Sequence, residues 1–496
     1  MHKEELELPC EMYTSEQINQ AEQDYLATGE LTNFELIELA GNAAFRLLSK
    51  RHSKDVPILV LAGYGNNGAD AFICASKLIE SGYLVSLMAV SRTEAEQASR
   101  LDFARCRDAY ICLGGSVEKV DLDRIATAEV IVDGLLGVGV NGEVRETIRD
   151  IIDTVNMSKA WVLSIDVPSG IIPDTGYSAC AIEADMTITF GALKQGLMTG
   201  HARHCCGKIM LASLGMSPFL PTTVVTQVTD KFVRARIIPR ARDSHKGLSG
   251  KVTVIGGDNG MAGAVRLAGE ACLRAGAGLV NVISRPEHQN TVNANRPELM
   301  FWGCELVDME VYLRLGWAHT LVIGPGLGKQ TWGYNLLKAV ALSDKPCVLD
   351  ADALNLLSEE PRSQGNWILT PHSGEAARLL ACSIENVEKD RFKAAQDIQA
   401  KYGGIVVLKG PGTLITDGKQ CVVAPVGNPG LASGGCGDVL SGVIGALLSQ
   451  NHSLLDAAIM GVVIHGAAAD RAALQGERGM LASDLMPHIR SLVNNI

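Results

Sequence analysis

Apolar, β-branched segments alternate with amphipathic helical ones along nearly the whole chain, and no other feature narrows the possible folds as much. VPILVLAGYG (56–65) is followed by ADAFICASKLIESG (69–82), YLVSLMAV (83–90), AEVIVDGLLG (128–137) and WVLSIDVPSG (161–170). Strands spaced by helices in this way run parallel, so the pattern predicts an α/β fold, a parallel sheet covered by helices on both faces. Ligands of such sheets bind beyond the carboxyl ends of the strands. A second series starts at GKVTVIGG (250–257) and continues through GLVNVIS, TLVIGPGLG, PCVLDADALN, WILTPHSGE and GIVVLKGPG (404–412). Between the two series lies 217–247, rich in Pro, Thr and Arg and poor in helical periodicity, so the boundary is expected near 225–235. With 496 residues the chain is too long for one core, and two domains are expected, 1–225 and 236–496. No fixed repeat of 20 to 50 residues is present, which excludes a solenoid.

A formal net charge of -11 argues against a polyanion-binding surface, and no run of Lys and Arg suggests a nucleic-acid arm. Neither a nucleic-acid nor a membrane partner is expected. The start, MHKEELELPCEMYT, has no apolar core of a signal, and the longest apolar stretch, AIMGVVIHGAAA (458–469), is short for a membrane span. Thirteen scattered cysteines, an odd number, fit reduced thiols in a cytoplasmic enzyme. HARHCC (201–206) has a metal-like spacing, but adjacent cysteines rarely share one zinc and no second pair follows, so a loop before the strand KIMLASLG is expected.

The second half gathers its chemistry at strand and helix ends. In GNPGLASGGCGDVLSGVIGALLSQ (427–450), Val439, Leu440, Val443, Ile444, Leu447 and Leu448 share one helical face. That predicts a buried helix whose first turn carries Gly435, Cys436, Gly437 and Asp438. Its unpaired N–H groups and positive dipole end attract anions, and the glycines let a phosphate approach while Asp438 stays within reach. The alternative is a tightly packed helix cap. GPGLG (324–328) and LKGPGT (408–413) repeat the glycine punctuation after strands, and Asp350, Asp352, His372 and Glu375 fall at the same sheet edge. Neighbouring carboxylates suit a Mg²⁺ that keeps most of its waters, or, alternatively, Asp352 caps the helix that follows.

HKGLSGKVTVIGG, GPGLG, LDADALN, LTPHSGE, LKGPGT and GNPGLASGGCGD, in this order, resemble the ADP- or ATP-dependent NAD(P)H-hydrate dehydratases, a branch of the ribokinase-like fold, over about 236–496. The resemblance implies that a hydroxyl left by hydration of NADH or NADPH is phosphorylated and then departs as phosphate, with AMP as coproduct if ADP is used and with Mg²⁺ accompanying the nucleotide. It implies that Asp438 is the base, that Lys409, Gly410, Pro411, Gly412, Thr413 and Gly437 hold the nucleotide, and that Ala264, Gly326, His372 and Asp438 face the hydrate. Cys436 stands where the family usually has Thr, so a hydroxyl contact would be lost while a backbone anion site would survive.

In the first half, GYGNNGAD (63–70) opens a helix after a strand, VDGLLGVGVNGEVRE (132–146) puts Asp133 before a glycine-rich turn, and SIDVPSGI (164–171) ends a strand at Asp166 and Ser169. Singly these read as capped turns. Together they resemble the NAD(P)H-hydrate epimerases over roughly 10–220, which implies a Rossmann-like three-layer α/β/α domain. The resemblance places the hydrate against Asn66, Asn67, Gly68, Ala69 and Asp70, against Gly137, Val138, Gly139, Val140, Asn141, Gly142 and Glu143, and against Asp166, which would also handle the proton. It gives K⁺ the oxygens of Asn67, Asp133 and Ser169, a donor set suited to a hard cation. Ala69 and Ala71 replace the usual glycines; if residue 69 needed positive φ, Ala would cost about 1 kcal/mol.

The expected protein is a bifunctional, homo-oligomeric repair enzyme for NADH and NADPH hydrates that uses an adenine nucleotide. The alternative is a ribokinase-like kinase of a vitamin-type alcohol with a non-catalytic first half.

Overall fold

The computed structural model describes residues 8–90, 101–138 and 144–495, and the chain divides into two compact units, Met1–Val225 and Thr226–Ile496. In the first, all-parallel strands stand in the order Val117–Lys119, Val85–Ala89, Ile58–Ala62, Val130–Gly134, Trp161–Ile165, Met186–Phe190, Lys208–Ala212. Every residue of Ile58–Ala62 is buried, which is why that segment is apolar throughout rather than alternating. Ile58, Val60 and Ala62 join one core with the helices Asn33–Arg51 and Asn66–Glu80, whereas Leu59 and Leu61 join Ile148, Ile151 and Ile152 on the other face. Three layers result. Strand order reverses between Ile58–Ala62 and Val130–Gly134, so a crevice opens at the carboxyl ends of these two.

The second unit repeats the logic. Its sheet runs Cys421–Ala424, Thr413–Thr416, Ile405–Leu408, Trp367–Leu369, Cys347–Leu349, Thr320–Ile323, Lys251–Ile255, Leu279–Ser284, Met300–Gly303, parallel except for the hairpin strands Thr413–Thr416 and Cys421–Ala424. Order reverses between Thr320–Ile323 and Lys251–Ile255. The helices Ala262–Arg274, Cys436–Ser449 and Leu454–Ala472 cover one core with Val252, Val254, Val322 and Val348. Val443, Ile444 and Leu447 each contribute about 1.5–3 kcal/mol by leaving water. Gly442 lets two helices touch, since a Cβ there would stand 2.2 Å from the Ala268 carbonyl. Leu454–Gln475 has the length and apolarity to cross a membrane, but 72% of its apolar window is buried in the unit, as for a core helix.

The segment between the two series is not wholly irregular. Asp230–Arg236 is a helix, with Val233 in the second core and Arg236 bonded to Asp456 at 2.8 Å. Seven residues are too few for a periodic signal, and tertiary contacts hold the turn.

Candidate active sites

At the crevice of the first unit lies a cavity of about 690 Å³, lined by Asn66, Asn67, Asp70, Gly137, Val138 and Asp166 among others. Gly139, Val140, Asn141, Gly142 and Glu143 lie outside the described residues. The helix Asn66–Glu80 starts against the strand Ile58–Ala62 because residue 68 lacks a side chain; a Cβ on Gly68 would meet the Gly63 carbonyl at 2.1 Å. Ala69 and Ala71 are ordinary helical residues with negative φ, so the strain expected of an Ala at 69 is absent. Ala71 packs against Gly134, where a second Cβ would stand 2.5 Å away.

Asp133 is fully buried and accepts from Ser164 Oγ (2.8 Å), Ser169 N (2.9 Å), Ser169 Oγ (2.5 Å) and Leu135 N (3.2 Å). Burial pushes its carboxyl up and these donors pull it partly back. Asn67 donates to the Leu136 carbonyl at 2.7 Å, while its Oδ1 is buried without a partner. That orphaned oxygen, with Ser169 and Asp133 linked through the Leu136 peptide, is an arrangement a desolvated monovalent cation fits.

Asp166 sits at φ 65, a conformation that costs a non-glycine residue energy. Its Oδ1 accepts from Lys194 Nζ at 2.6 Å and from Phe190 N at 3.2 Å, and Lys194 is 1% exposed. Glu22, from the helix Ser15–Ala27, lines the same cavity. Neither Lys194 nor Glu22 was expected from the sequence. A lysine within the apolar run TFGALKQGLM was the available signal for Lys194, whereas Glu22 has the pattern of any solvated helix residue.

In the second unit the helix Cys436–Ser449 begins at Gly435 (φ 89) and puts Asp438 in its first turn. The start is fixed from below by His465, whose Nε2 lies 2.9 Å from the Cys436 carbonyl; burial lowers this imidazole to about 4, so it is neutral and donates. The Cys436 side chain is buried in the core, so the Cys-for-Thr difference lies beneath the anion site.

Around Asp438 stand three more carboxyls and one ammonium. Asp350, 1% exposed, accepts from Lys409 Nζ at 2.7 Å and from Ser441 Oγ at 2.6 Å; burial would raise it, but the charge and hydrogen bond of Lys409 with the bonds from Ser441 and Thr370 together hold it low. Lys409 also lies 3.6 Å from Glu375. A Cβ on Gly437 would find Lys409 Nζ at 3.5 Å and Asp350 Oδ2 at 3.6 Å, so the bare amide end faces the ammonium across open space. Burial first, then the charge of Asp350, pushes the Asp438 carboxyl up to about 7. Such a group exchanges protons near neutrality.

The other expected residues stand on loops and helix starts of the same unit. Lys409, Gly410, Pro411, Gly412 and Thr413 form the turn between Ile405–Leu408 and Thr413–Thr416, and Thr413 Oγ1 bonds the Gly410 carbonyl at 3.1 Å. Beneath it the fully buried Arg391 bonds the Leu408 and Lys409 carbonyls at 3.2 and 3.1 Å, a support with no sequence signal. Gly326 (φ 56) lies beside Ala264, to which a Cβ at 326 would come within 3.2 Å. His372 caps the helix Ser373–Leu380, its Nδ1 accepting from Gly374 N at 2.9 Å.

Two expectations change here. The N-cap of Ala351–Glu359 is Asp350, and Asp352 instead accepts from Gly328 N at 3.0 Å across the loop. With Asp350 tied to Lys409, the two do not form a free Mg²⁺ pair, and among the described residues no three acidic, His or Cys side chains converge on a metal position. HARHCC contains a short helix, Ala202–Cys205, rather than only a loop, and Cys205 is buried with its thiol pushed up to about 12. A 560 Å³ cleft of this second unit lies at the far end of Cys436–Ser449, against Leu447 and Gln450, and is not part of the Asp438 group.

Residues 252–491 match the family model of NAD(P)H-hydrate dehydratase, and residues 33–196 match that of the YjeF-related protein N-terminus. The bifunctional NAD(P)H-hydrate repair enzyme of Coxiella burnetii is 45% identical over 97% of this chain and 99% of its own length. That of Escherichia coli is 42% identical over 100% and 96%. Among solved structures, a ribokinase-like superfamily protein from Enterococcus faecalis is similar with TM-score 0.52 and 28% identity, covering 56% of this chain and 98% of its own.

Proposed function

The chain belongs to the bifunctional NAD(P)H-hydrate repair enzymes, and on that premise we propose how its residues divide the work. One half interconverts the R and S hydrates of NADH and NADPH, and the other dehydrates the S hydrate with an adenine nucleotide. The full-length match to bifunctional relatives sets aside the alcohol kinase with an inert first half.

In the second half Asp438 takes the proton of the substrate hydroxyl as it attacks the terminal phosphoryl group. Hydroxide is a poor leaving group and phosphate a good one, so phosphorylation makes elimination possible. The N–H groups at Gly437 and Asp438, with Lys409, face the charge that gathers on the transferring phosphoryl. Lys409, Gly410, Pro411, Gly412, Thr413 and Gly437 hold the nucleotide, and Ala264, Gly326 and His372 bound the hydrate. The observation that carries this reading is a carboxyl in the first turn of a helix, beside a Lys409 ammonium that Asp350 holds at 2.7 Å. Among the described residues no three acidic, His or Cys side chains converge on a metal position, so Mg²⁺ would enter with the nucleotide and would supply positive charge to its phosphates.

In the first half, Asn66 to Asp70, Gly137 to Glu143 and Asp166 bind the hydrate, and Asp166 handles the proton. K⁺ would be held by Asn67, Ser169 and Asp133, supplying a positive charge beside the buried Asp133 carboxyl; the orphaned Asn67 Oδ1 supports this. Thirteen free thiols support a reducing, cytoplasmic setting. The exposed Leu306, Met309 and Leu313 support assembly into a homo-oligomer.

Mixed hydrate epimers supplied with ADP or ATP, in K⁺ or Na⁺, test the reading. NADH and inorganic phosphate should appear in equal amounts, with ADP the better donor and AMP its product. A phosphorylated hydrate that accumulates without NADH overturns it.

A further inference from the structure

The cavity of the first unit holds more acid than binding a hydrate explains. Asp70 is 6% exposed, lines the cavity, and has no side-chain hydrogen bond among the described residues. Buried polar groups nearly always find a partner, so an unpaired one facing a cavity points to a ligand. Burial, then Asp166 and Glu22, push the Asp70 carboxyl well above the usual range, which favours its protonated form. Glu22 is raised by burial and by Asp166 and also lacks a hydrogen-bond partner among the described residues. Facing these stands the ammonium of Lys194, already engaged by Asp166 Oδ1 (2.6 Å), Thr189 Oγ1 (2.9 Å) and the Phe190 carbonyl (3.2 Å). Arg145 is exposed at the rim. Three carboxyls around one satisfied cation make a site suited to positive charge.

The substrate's chemistry supplies that charge. In a dihydropyridine the nitrogen lone pair makes the β-carbon nucleophilic, so hydration puts the proton there and the hydroxyl on the carbon beside nitrogen. The hydrates differ in configuration at that hydroxyl carbon. Its C–H is not acidic, because no carbonyl adjoins it, so inversion requires a bond to a heteroatom to break.

We infer that the first unit inverts this carbon by reversible C–O cleavage, with Asp70 as the acid that protonates the departing hydroxyl and with the Asp166 and Glu22 carboxyls facing the iminium cation. The C–O pair leaves on oxygen, which takes the Asp70 proton and departs as water, while the nitrogen lone pair closes a C=N bond. Water then adds to the opposite face, its oxygen pair forming the new C–O bond as the C=N pair returns to nitrogen. The added water gives up one proton to the Asp166 carboxylate, which in this way handles the proton, and Asp70 is reprotonated from it. Nothing is oxidised or reduced.

The inference rests on the first unit being the epimerase, and ¹⁸O-enriched water separates the two. The full chain, with no nucleotide present, is given pure R hydrate, and inversion and label are followed together above the protein-free rate. Each early inversion should carry one solvent oxygen. Inversion with the original oxygen retained, or label lagging inversion tenfold, overturns C–O cleavage while leaving the epimerase reading intact; no inversion above background overturns that reading itself. Asp70→Asn should slow inversion at least about 100-fold, with a calorimetric melt of the full chain matching wild type confirming that the first unit is folded. An undiminished rate in that variant overturns the role of Asp70.

Discussion

The carboxyl of Asp438 stands near neutrality because burial and Asp350 disfavour its charge more than Lys409 favours it, and Asp352 and Glu375 push the same way as Asp350. A base must be ionised to accept a proton. With a pKa of about 7, about one-eleventh is ionised at pH 6 and about ten-elevenths at pH 8, so kcat/KM for S hydrate should rise about tenfold between them. Measured with the hydrate varied and nucleotide saturating, the profile reports the enzyme–nucleotide complex. Nucleotide phosphates titrate in the same range, so a perturbation must assign the inflection. Asp352→Asn removes one of the negative charges that raise Asp438 while keeping an oxygen for the Gly328 N–H. The inflection should then move to lower pH. A profile flat from pH 6 to 8, or an inflection that Asp352→Asn does not move, would refute Asp438 as the titrating base.

Asp438→Asn should abolish nucleotide-dependent recovery of NADH while epimer interconversion continues, checked by following each reaction separately. The same variant should melt higher than wild type at pH 8, by about 2 °C or more. The folded carboxyl holds its proton to about 7 and the unfolded one releases it near 4, so stability from this group falls as pH rises through that window, and calorimetry should show the difference shrinking toward pH 4. Gly435→Ala should destabilise by about 1–3 kcal/mol, since residue 435 has φ 89 and a Cβ there would lie 2.5 Å from Leu267. Gly437→Ala, where a Cβ meets nothing closer than 3.5 Å, should melt normally but raise the KM for nucleotide. Asn67→Leu should erase any difference between K⁺ and Na⁺ in epimerisation, whereas a difference persisting in that variant would remove Asn67 from the cation site.

What the sequence made legible is what local pattern encodes. Val439, Leu440, Val443, Ile444, Leu447 and Leu448 repeat at helical spacing, so the buried helix and the position of Asp438 at its start could be read directly. The doubly wound sheets followed from alternation alone. Partners distant in the chain could not be read. Asp350 has the look of a metal ligand until Lys409, 59 residues on, closes an ion pair with it. Lys194 reaches Asp166 because its segment is pinned beside Tyr13, a pairing across some 180 residues that no period announces. Arg391 belongs to a helix of mixed polarity, and the carbonyls of Leu408 and Lys409, with Glu388 at 3.0 Å, reveal why an arginine is buried there. Ala69 misleads in the opposite way: its glycine-rich context suggests a loop, but the helix already starts at Asn66.

Both units bury an aspartate whose carboxyl is pushed up by its surroundings, yet the neighbours give the two groups opposite tasks. Asp70 is surrounded by Asp166 and Glu22, with the nearby ammonium of Lys194 satisfied elsewhere, so it can give up a proton only when positive charge appears in the cavity to replace it. A substrate whose departing hydroxyl leaves a cation behind meets that condition. Asp438 has Lys409 across the gap from Gly437 and the dipole of Cys436–Ser449 at its back, so it ionises readily once a phosphate approaches the amide end and a hydroxyl offers its proton. Exchange of these environments would defeat both reactions: an ammonium without a carboxylate partner beside Asp70 would repel the iminium cation, and a second free carboxylate facing Gly437 would repel the phosphate. Lys194→Met tests how Asp166 is held. Without the ammonium at 2.6 Å the Asp166 carboxylate keeps only the Phe190 N–H, at 3.2 Å, so epimerisation should fall sharply at every pH from 6 to 8. An unchanged rate would show that Lys194 does not position Asp166.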